Sequence, residues 1–152
     1  MKTTLTGNAI YDTAIMIAEK YHKGQTRITG QDYFKAHLCE VADSVRIYGE
    51  DYCAVAILHD ILEDTDCKAT DLLEAGIPQD IVADVLLLTH IRSEPREIYY
   101  EKIKKSSRAL AVKIADIANN LSTIPAILDE KTQQRLYKKY IKALKCLTQI
   151  EE

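Results

Sequence analysis

The segment Ala54-Val-Ala-Ile-Leu-His-Asp-Ile-Leu-Glu-Asp64 carries an imidazole and three carboxylates within its last six residues. Placed on a helix at about 100° per residue, His59, Asp60, Glu63 and Asp64 fall within an arc of roughly 140°. Val55, Ile57, Leu58, Ile61 and Leu62 fill another arc of roughly 160°, and Ala56 is the only apolar residue on the polar side. Three carboxylates this close repel one another, and burial raises the cost of each charge. A divalent cation would resolve that conflict. The plainer alternative is a solvated acidic helix face with a lone histidine.

Two further stretches bear on the choice. His37 sits at the edge of an apolar stripe, where a histidine is more often a satisfied core residue than a ligand. Asp116 lies in Val112-Lys-Ile-Ala-Asp-Ile-Ala-Asn-Asn-Leu121, and Lys113, Asp116, Asn120 and Thr123 share one helical face at spacings i, i+3, i+7 and i+10. In isolation Asp116 reads as a surface residue or a partner of Lys113. Taken together, His37, His59, Asp60 and Asp116 offer two imidazoles and two carboxylates. That mixed N/O set suits Mn, Fe or Zn better than Ca. It leaves coordination positions for water and substrate, as a catalytic site requires.

The elements that must position these residues are helices. Recurrence at i, i+3 and i+4 runs through the chain, while alternation over four to eight residues is hard to find. The spacing predicts helices over 8–23 (ended by Gly24), 33–48 (ended by Gly49), 50–63, 70–75, 78–89, 95–105, 107–121 and 129–150, with a break at Pro125. In the second, Phe34, Leu38, Val41, Val45 and Tyr48 point inward. In the last, Leu136, Tyr140, Ile141, Leu144 and Leu147 share a side that packs on the body or, alternatively, forms the seam of a homodimer. A loop, GQTRITGQD, spans 24–32.

Composition narrows the function classes. The 152 residues are 47% hydrophobic and 28% charged, with no linker, repeat or low-complexity segment, so a single soluble domain over 1–152 is expected. No apolar run reaches the ~18 residues of a membrane span, and MKTTLTGNAIYD lacks a signal-peptide core, so a cytoplasmic address and no membrane partner are expected. A net charge of −3 with mixed signs gives no footprint for nucleic acid. The basic run Lys102, Lys104, Lys105, Arg108 reads as a solvated helix face. The cysteines at 39, 53, 67 and 146 form no CxxC pair and read as reduced thiols.

The order His…His-Asp…Asp resembles the HD superfamily of metal-dependent phosphohydrolases. More narrowly, the chain is similar to the hydrolase domain of the alarmone (ppGpp) synthetase/hydrolases and their small stand-alone relatives. The resemblance is carried by Tyr21-His-Lys-Gly-Gln-Thr-Arg27, Tyr33-Phe-Lys-Ala-His37, Ala56-Ile-Leu-His-Asp-Ile-Leu-Glu-Asp-Thr65, Leu88-Thr-His90 and Val112-Lys-Ile-Ala-Asp-Ile-Ala-Asn-Asn120. It implies a compact all-α HD bundle of seven to eight helices and a ppGpp 3′-pyrophosphohydrolase-like enzyme acting on a small-molecule nucleotide. It further implies that His37, His59, Asp60 and Asp116 hold the metal, usually Mn²⁺, and that Glu63 and Asp64 position and deprotonate the attacking water. Arg27 and Tyr33 match positions that hold the nucleoside, and Asn120 one that faces base and ribose. Lys113 and Thr123 share that face and are candidates for phosphate or sugar. His22 matches a family position and reads as structural. Ile28, Ile117 and Ser122 stand where basic residues are common in the family, so phosphate-binding charge is expected to be thinned. Alternatives are an HD phosphohydrolase of another nucleotide or phosphoester, and a non-catalytic module that binds metal and nucleotide.

Overall fold

A computed structural model describes residues 8–149. Asn8 caps the first helix, its side chain accepting from the Tyr11 amide, and α1 runs Ala9–Tyr21. A π-helical turn, Phe34–Leu38, leads into α2, Cys39–Ser44, and a 3₁₀ turn, Arg46–Tyr48. Then follow α3 (Glu50–Leu58), α4 (Ile61–Asp64), α5 (Ala69–Glu74), α6 (Gln79–Leu87), α7 (Arg96–Ile103), α8 (Ser107–Thr123), a 3₁₀ turn (Ile124–Ala126) and α9 (Glu130–Thr148). Among the described residues no strand occurs, only an isolated bridge between Thr26 and Asp32. The expected all-α bundle is therefore the observed fold.

The hub is α3. Every side chain from Cys53 to Leu58 is buried, so its sequence has no polar face of its own. It packs against α1, α2, α6 and α8. Burial on all sides explains why Ala56, expected on a polar face, is in the core.

The boundaries differ from the sequence expectation in informative places. The helix predicted over 50–63 breaks after Leu58, with Asp60 at φ −103° and ψ −1°, and resumes at Ile61. The break lies at the residues expected to hold a metal. The helix predicted over 33–48 instead holds the π turn at its start and a 3₁₀ turn at its end, and Tyr48 is exposed rather than inward. On α9 the core contacts are Ala143 and Leu147, with Tyr140 and Leu144 half-buried, whereas Ile141 is exposed. This face packs on α7 and α8. Residue 150, expected in the last helix, lies outside the described residues.

Of the basic run only Lys102 and Lys105 are exposed; Lys104 and Arg108 are half-buried, and Lys102, Lys104 and Arg108 are paired. Lys102 meets Glu94, and Lys104 meets Glu101 at 3.1 Å. Arg108 binds Asp84 at 2.6 Å and Asp80 at 3.0 Å. The four cysteines are free.

Candidate active site

Three separate stretches converge on one point. The π turn supplies His37, the α3–α4 break supplies His59 and Asp60, and the middle of α8 supplies Asp116. One ligand atom from each of the four lies within 4.8 Å of every other. His37 Nε2 is 2.8 Å from Asp116 Oδ1 and 3.8 Å from Asp60 Oδ2. His59 Nε2 is 3.1 Å from both carboxylates. A π turn inserts an extra residue into a helical turn, a feature frequent at functional sites. Here it accompanies a His37 that is fully buried rather than at a stripe's edge.

The tautomers follow from the outer partners. His59 Nδ1 faces the Ala56 carbonyl at 2.6 Å, so it carries the hydrogen. His37 Nδ1 faces Asn119 Oδ1 at 2.7 Å. That amide's orientation is fixed, because its Nδ2 donates to Glu40 and its Oδ1 also accepts from Arg27 at 2.7 Å. With Nδ1 so engaged, each ring turns its Nε2 toward carboxylate oxygens. His37 Nε2 is sealed from solvent and makes no hydrogen bond of acceptable geometry. A divalent ion, or protons in its absence, must satisfy the nitrogens and oxygens that meet here. The donor set and the carbonyl-oriented imidazoles fit a divalent transition ion.

Without such an ion, protons take its place. Burial opposes a charged His59, but Asp60 and Asp116 outweigh it and hold the imidazole well above its ordinary pKa. Burial likewise opposes ionised Asp60, yet His59 draws it down to about 2. Asp116 is held well below the usual carboxylate range against its burial, by Lys113 first and His59 next. Lys113 donates to Asp116 Oδ2 at 3.1 Å, and Asn120 to Oδ1 at 3.3 Å. Asp116 is thus buried and shared, neither a surface residue nor a partner of Lys113 alone.

A cavity of about 190 Å³ opens beside this cluster. Its lining brings together Asp60, Asp116, Glu63, Asp64, Tyr33, Lys113 and Asn120 from the predicted set. Glu63 Oε1 accepts from the His90 amide at 2.6 Å. The Asp64 carboxyl is pushed up to about 6, by burial first and then by the charge of Asp60. Tyr33 donates its hydroxyl to Asp60.

Arg27 and Thr123 do not line this cavity. The Arg27 guanidinium is nearly buried and serves as a brace. Its Nη1 donates to Ala36 O (3.2 Å) and Asn119 Oδ1, and its Nη2 to Asn120 Oδ1 (3.1 Å) and Thr123 Oγ1 (2.9 Å). Arg27 and Thr123 line instead a smaller pocket that adjoins this cavity. His22 is buried, its Nδ1 2.7 Å from Gln25 Oε1, which agrees with a structural role.

Sequence reasoning missed His90, Arg96, Tyr99, Lys139 and Tyr140, which also line the cavity. Arg96 and Lys139 have no ion-pair partner among the described residues. Burial, then Arg96 and Lys113, lower the Lys139 pKa. The expected thinning of positive charge is thus offset from α7 and α9. Arg96 and Lys139 sit in helices whose charges read as an ordinary surface, whereas His90 lies between helices in the Leu88-Thr-His90 motif, which is the signal that could have found it.

No protein-family model matches the chain. Among curated proteins it is 30% identical over 131 residues to a guanosine-3′,5′-bis(diphosphate) 3′-pyrophosphohydrolase of Haemophilus influenzae, covering 78% of this chain and 19% of that protein. It is 29% identical over 133 residues to a probable guanosine-3′,5′-bis(diphosphate) 3′-pyrophosphohydrolase of Synechocystis, covering 80% and 17%. It is 27% identical over 133 residues to the bifunctional (p)ppGpp synthase/hydrolase SpoT of Escherichia coli, covering 80% and 19%. The chain spans about a fifth of the length of these relatives. A solved structure described as a metazoan ortholog of SpoT that hydrolyzes ppGpp superposes with a TM-score of 0.80 at 22% identity, over 95% of this chain and 89% of that one. The fold is therefore shared. The family that the motifs resemble is the one these matches return.

Proposed function

We propose that the protein is a metal-dependent phosphohydrolase that cleaves the 3′-pyrophosphate of guanosine 3′,5′-bis(diphosphate) or a close analogue. Water adds to phosphorus, the bond to the 3′-oxygen breaks, and GDP and pyrophosphate leave. The observation that carries this reading is the meeting of two buried imidazoles with the buried Asp116 and half-buried Asp60 carboxylates, at the wall of a cavity that also presents Glu63, Asp64 and three cations.

His37, His59, Asp60 and Asp116 would hold the ion, which we take to be Mn²⁺. A bound divalent ion supplies Lewis acidity, making water nucleophilic at neutral pH and offsetting charge on the phosphoryl oxygens. Glu63, fixed by the His90 amide, aims the water and with Asp64 accepts its proton, a contribution of about 10²–10⁴-fold. Lys113, Arg96 and Lys139 hold phosphate oxygens by charge. Asn120, itself held by Arg27, orients the sugar. An acid pair placed to activate water speaks for turnover rather than a binding module.

No helix among the described residues is long and apolar enough to cross a membrane. Incubation with Mn²⁺ and a nucleotide panel tests the reading. Pyrophosphate released from guanosine 3′,5′-bis(diphosphate) but not from GTP supports it. Phosphate released from simple monophosphates instead assigns a different phosphoesterase activity, and tight binding without any release assigns a binding module.

A further inference from the structure

Glu63 and Asp64 both line the cavity, but they are held in different ways. Glu63 is fixed by the backbone amide of His90. Among the described residues the Asp64 carboxylate has one hydrogen-bond donor, Gln25 Nε2, 3.4 Å from Oδ2.

The rest of Gln25 is clamped. Helix α1 ends at Tyr21, His22 caps it, and the chain reverses through Gly24, whose φ of 86° favours glycine. The turn lets the Gln25 amide donate to the His22 carbonyl at 3.0 Å, and the Gln25 carbonyl accepts from the Tyr33 amide at 2.9 Å. The side-chain Oε1 lies 2.7 Å from His22 Nδ1. Turned the other way, the side-chain amide would set Oε1 against the Asp64 carboxylate, acceptor on acceptor. The orientation that satisfies both ends has His22 Nδ1–H donating to Oε1 and Gln25 Nε2 donating to Asp64.

His22 is 1% exposed, and its other nitrogen, Nε2, is buried with no hydrogen-bond partner among the described residues. An unmet buried nitrogen is unfavourable, so packing alone would favour an apolar side chain here. The hydrogen bond to Gln25 is what this ring provides and an apolar one could not. Burial lowers the His22 pKa, so the ring is neutral near pH 7 and its one hydrogen sits on Nδ1. A carboxylate that takes a proton from water must keep an oxygen open for it. Gln25 occupies Oδ2 and leaves Oδ1 without a donor.

We propose that Gln25 is a positioning residue for Asp64, and that His22 positions Gln25, so that Asp64 presents Oδ1 to the attacking water. The inference rests on the proposed hydrolase reading, in which Asp64 shares the proton of that water with Glu63. It adds to that reading two residues, neither of which lines the cavity.

Gln25→Leu removes the donor and keeps the bulk. With guanosine 3′,5′-bis(diphosphate) and Mn²⁺ it should lower kcat about tenfold, leaving KM and the calorimetric Kd for Mn²⁺ within about twofold. Burial and the charges of Asp60 and Glu63 raise the Asp64 carboxyl, while Gln25 and His59 lower it. Loss of the Gln25 donor should therefore move the acid limb of kcat/KM to higher pH. His22→Leu should reproduce the loss in kcat, and should add nothing to it in the Gln25→Leu background. His22→Asn, which keeps an N–H near the Nδ1 position, should recover most of it. The Mn²⁺-induced rise in Tm identifies the folded variants, and Gln25→Leu decides alone where His22→Leu does not fold. An unchanged kcat in Gln25→Leu, or a loss matched by weaker Mn²⁺ binding or a raised KM, overturns the proposal. An unchanged kcat in folded His22→Leu overturns the part given to His22. If the unaltered protein releases no pyrophosphate, the hydrolase reading fails, and carboxyl NMR of the metal-free proteins decides the positioning: an Asp64 pKa raised in Gln25→Leu supports it, and an unmoved one overturns it.

Discussion

Two buried aspartates of this molecule make a useful comparison. Asp84, on α6, is 7% exposed, and Asp116, on α8, is 4% exposed. Asp84 is fully answered: Ser106 Oγ donates to one oxygen at 2.8 Å and Arg108 Nε to the other at 2.6 Å. Arg108 also reaches Asp80 at 3.0 Å, so donors and acceptors alternate throughout. Asp116 receives Lys113 and Asn120, yet it also faces two imidazole nitrogens and lies within the reach of a second carboxylate. Burial and a charge partner are common to both sites. What separates them is that two imidazole nitrogens and two carboxylates crowd one point, a donor set that suits a divalent ion. A closed network is a structural staple, and an open one is a site.

That comparison can be broken at either end. The largest expected effect is at the open site: Glu63→Gln should lower kcat by about 10²–10⁴-fold while Mn²⁺ binding is retained. Steady-state kinetics beside calorimetry measure the two halves, and full activity would remove Glu63 from its role. At the closed site, Arg108→Ala leaves Asp84 with Ser106 as its remaining side-chain donor and should destabilise the fold by about 1–3 kcal/mol in denaturant unfolding, with kcat per folded molecule unchanged. Asn119→Ala acts between the two extremes. It leaves every metal-facing atom in place but frees the His37 ring, and should weaken Mn²⁺ binding by about 10–100-fold in calorimetry.

The smallest effect is on pH. Asp64 has its carboxyl raised to about 6, so it is protonated below that pH and an acid limb is expected in kcat/KM. Since Asp60 contributes to the rise, a bound divalent ion should shift the Asp64 titration downward, which carboxyl NMR with and without Mn²⁺ would follow. The same direction in both samples, with no shift, would show that the ion is not beside Asp60.

Much of the open site was legible because its residues cluster in sequence. His59, Asp60, Glu63 and Asp64 lie within six positions, and Lys113, Asp116, Asn120 and Thr123 recur at helical spacing. The continuous helix used to group the first set is broken at His59–Asp60, but a local break moves neighbours little, so the grouping survives. His37 was legible only as an ambiguous stripe-edge residue, because a π turn changes the register that periodicity assumes. The bracing bonds of Arg27 were hidden for a different reason. A loop arginine looks free in sequence, and the four oxygens that claim it come from residues 36, 119, 120 and 123. Arg96 and Lys139 escaped because nothing local marks them, and Tyr140 was legible only as a packing residue; α7 and α9 acquire a site-facing side only when they pack beside α8.

The central claim is that four side chains from three distant stretches hold one divalent ion. Calorimetric titration of Mn²⁺ into the metal-free protein and into His59→Ala tests it most directly. One ion per chain in the first, with a Tm raised by about 5–10 °C near 100-fold over Kd, and neither effect in the second, is the predicted result. Equal binding by the two proteins, or none by the unaltered chain, would contradict it.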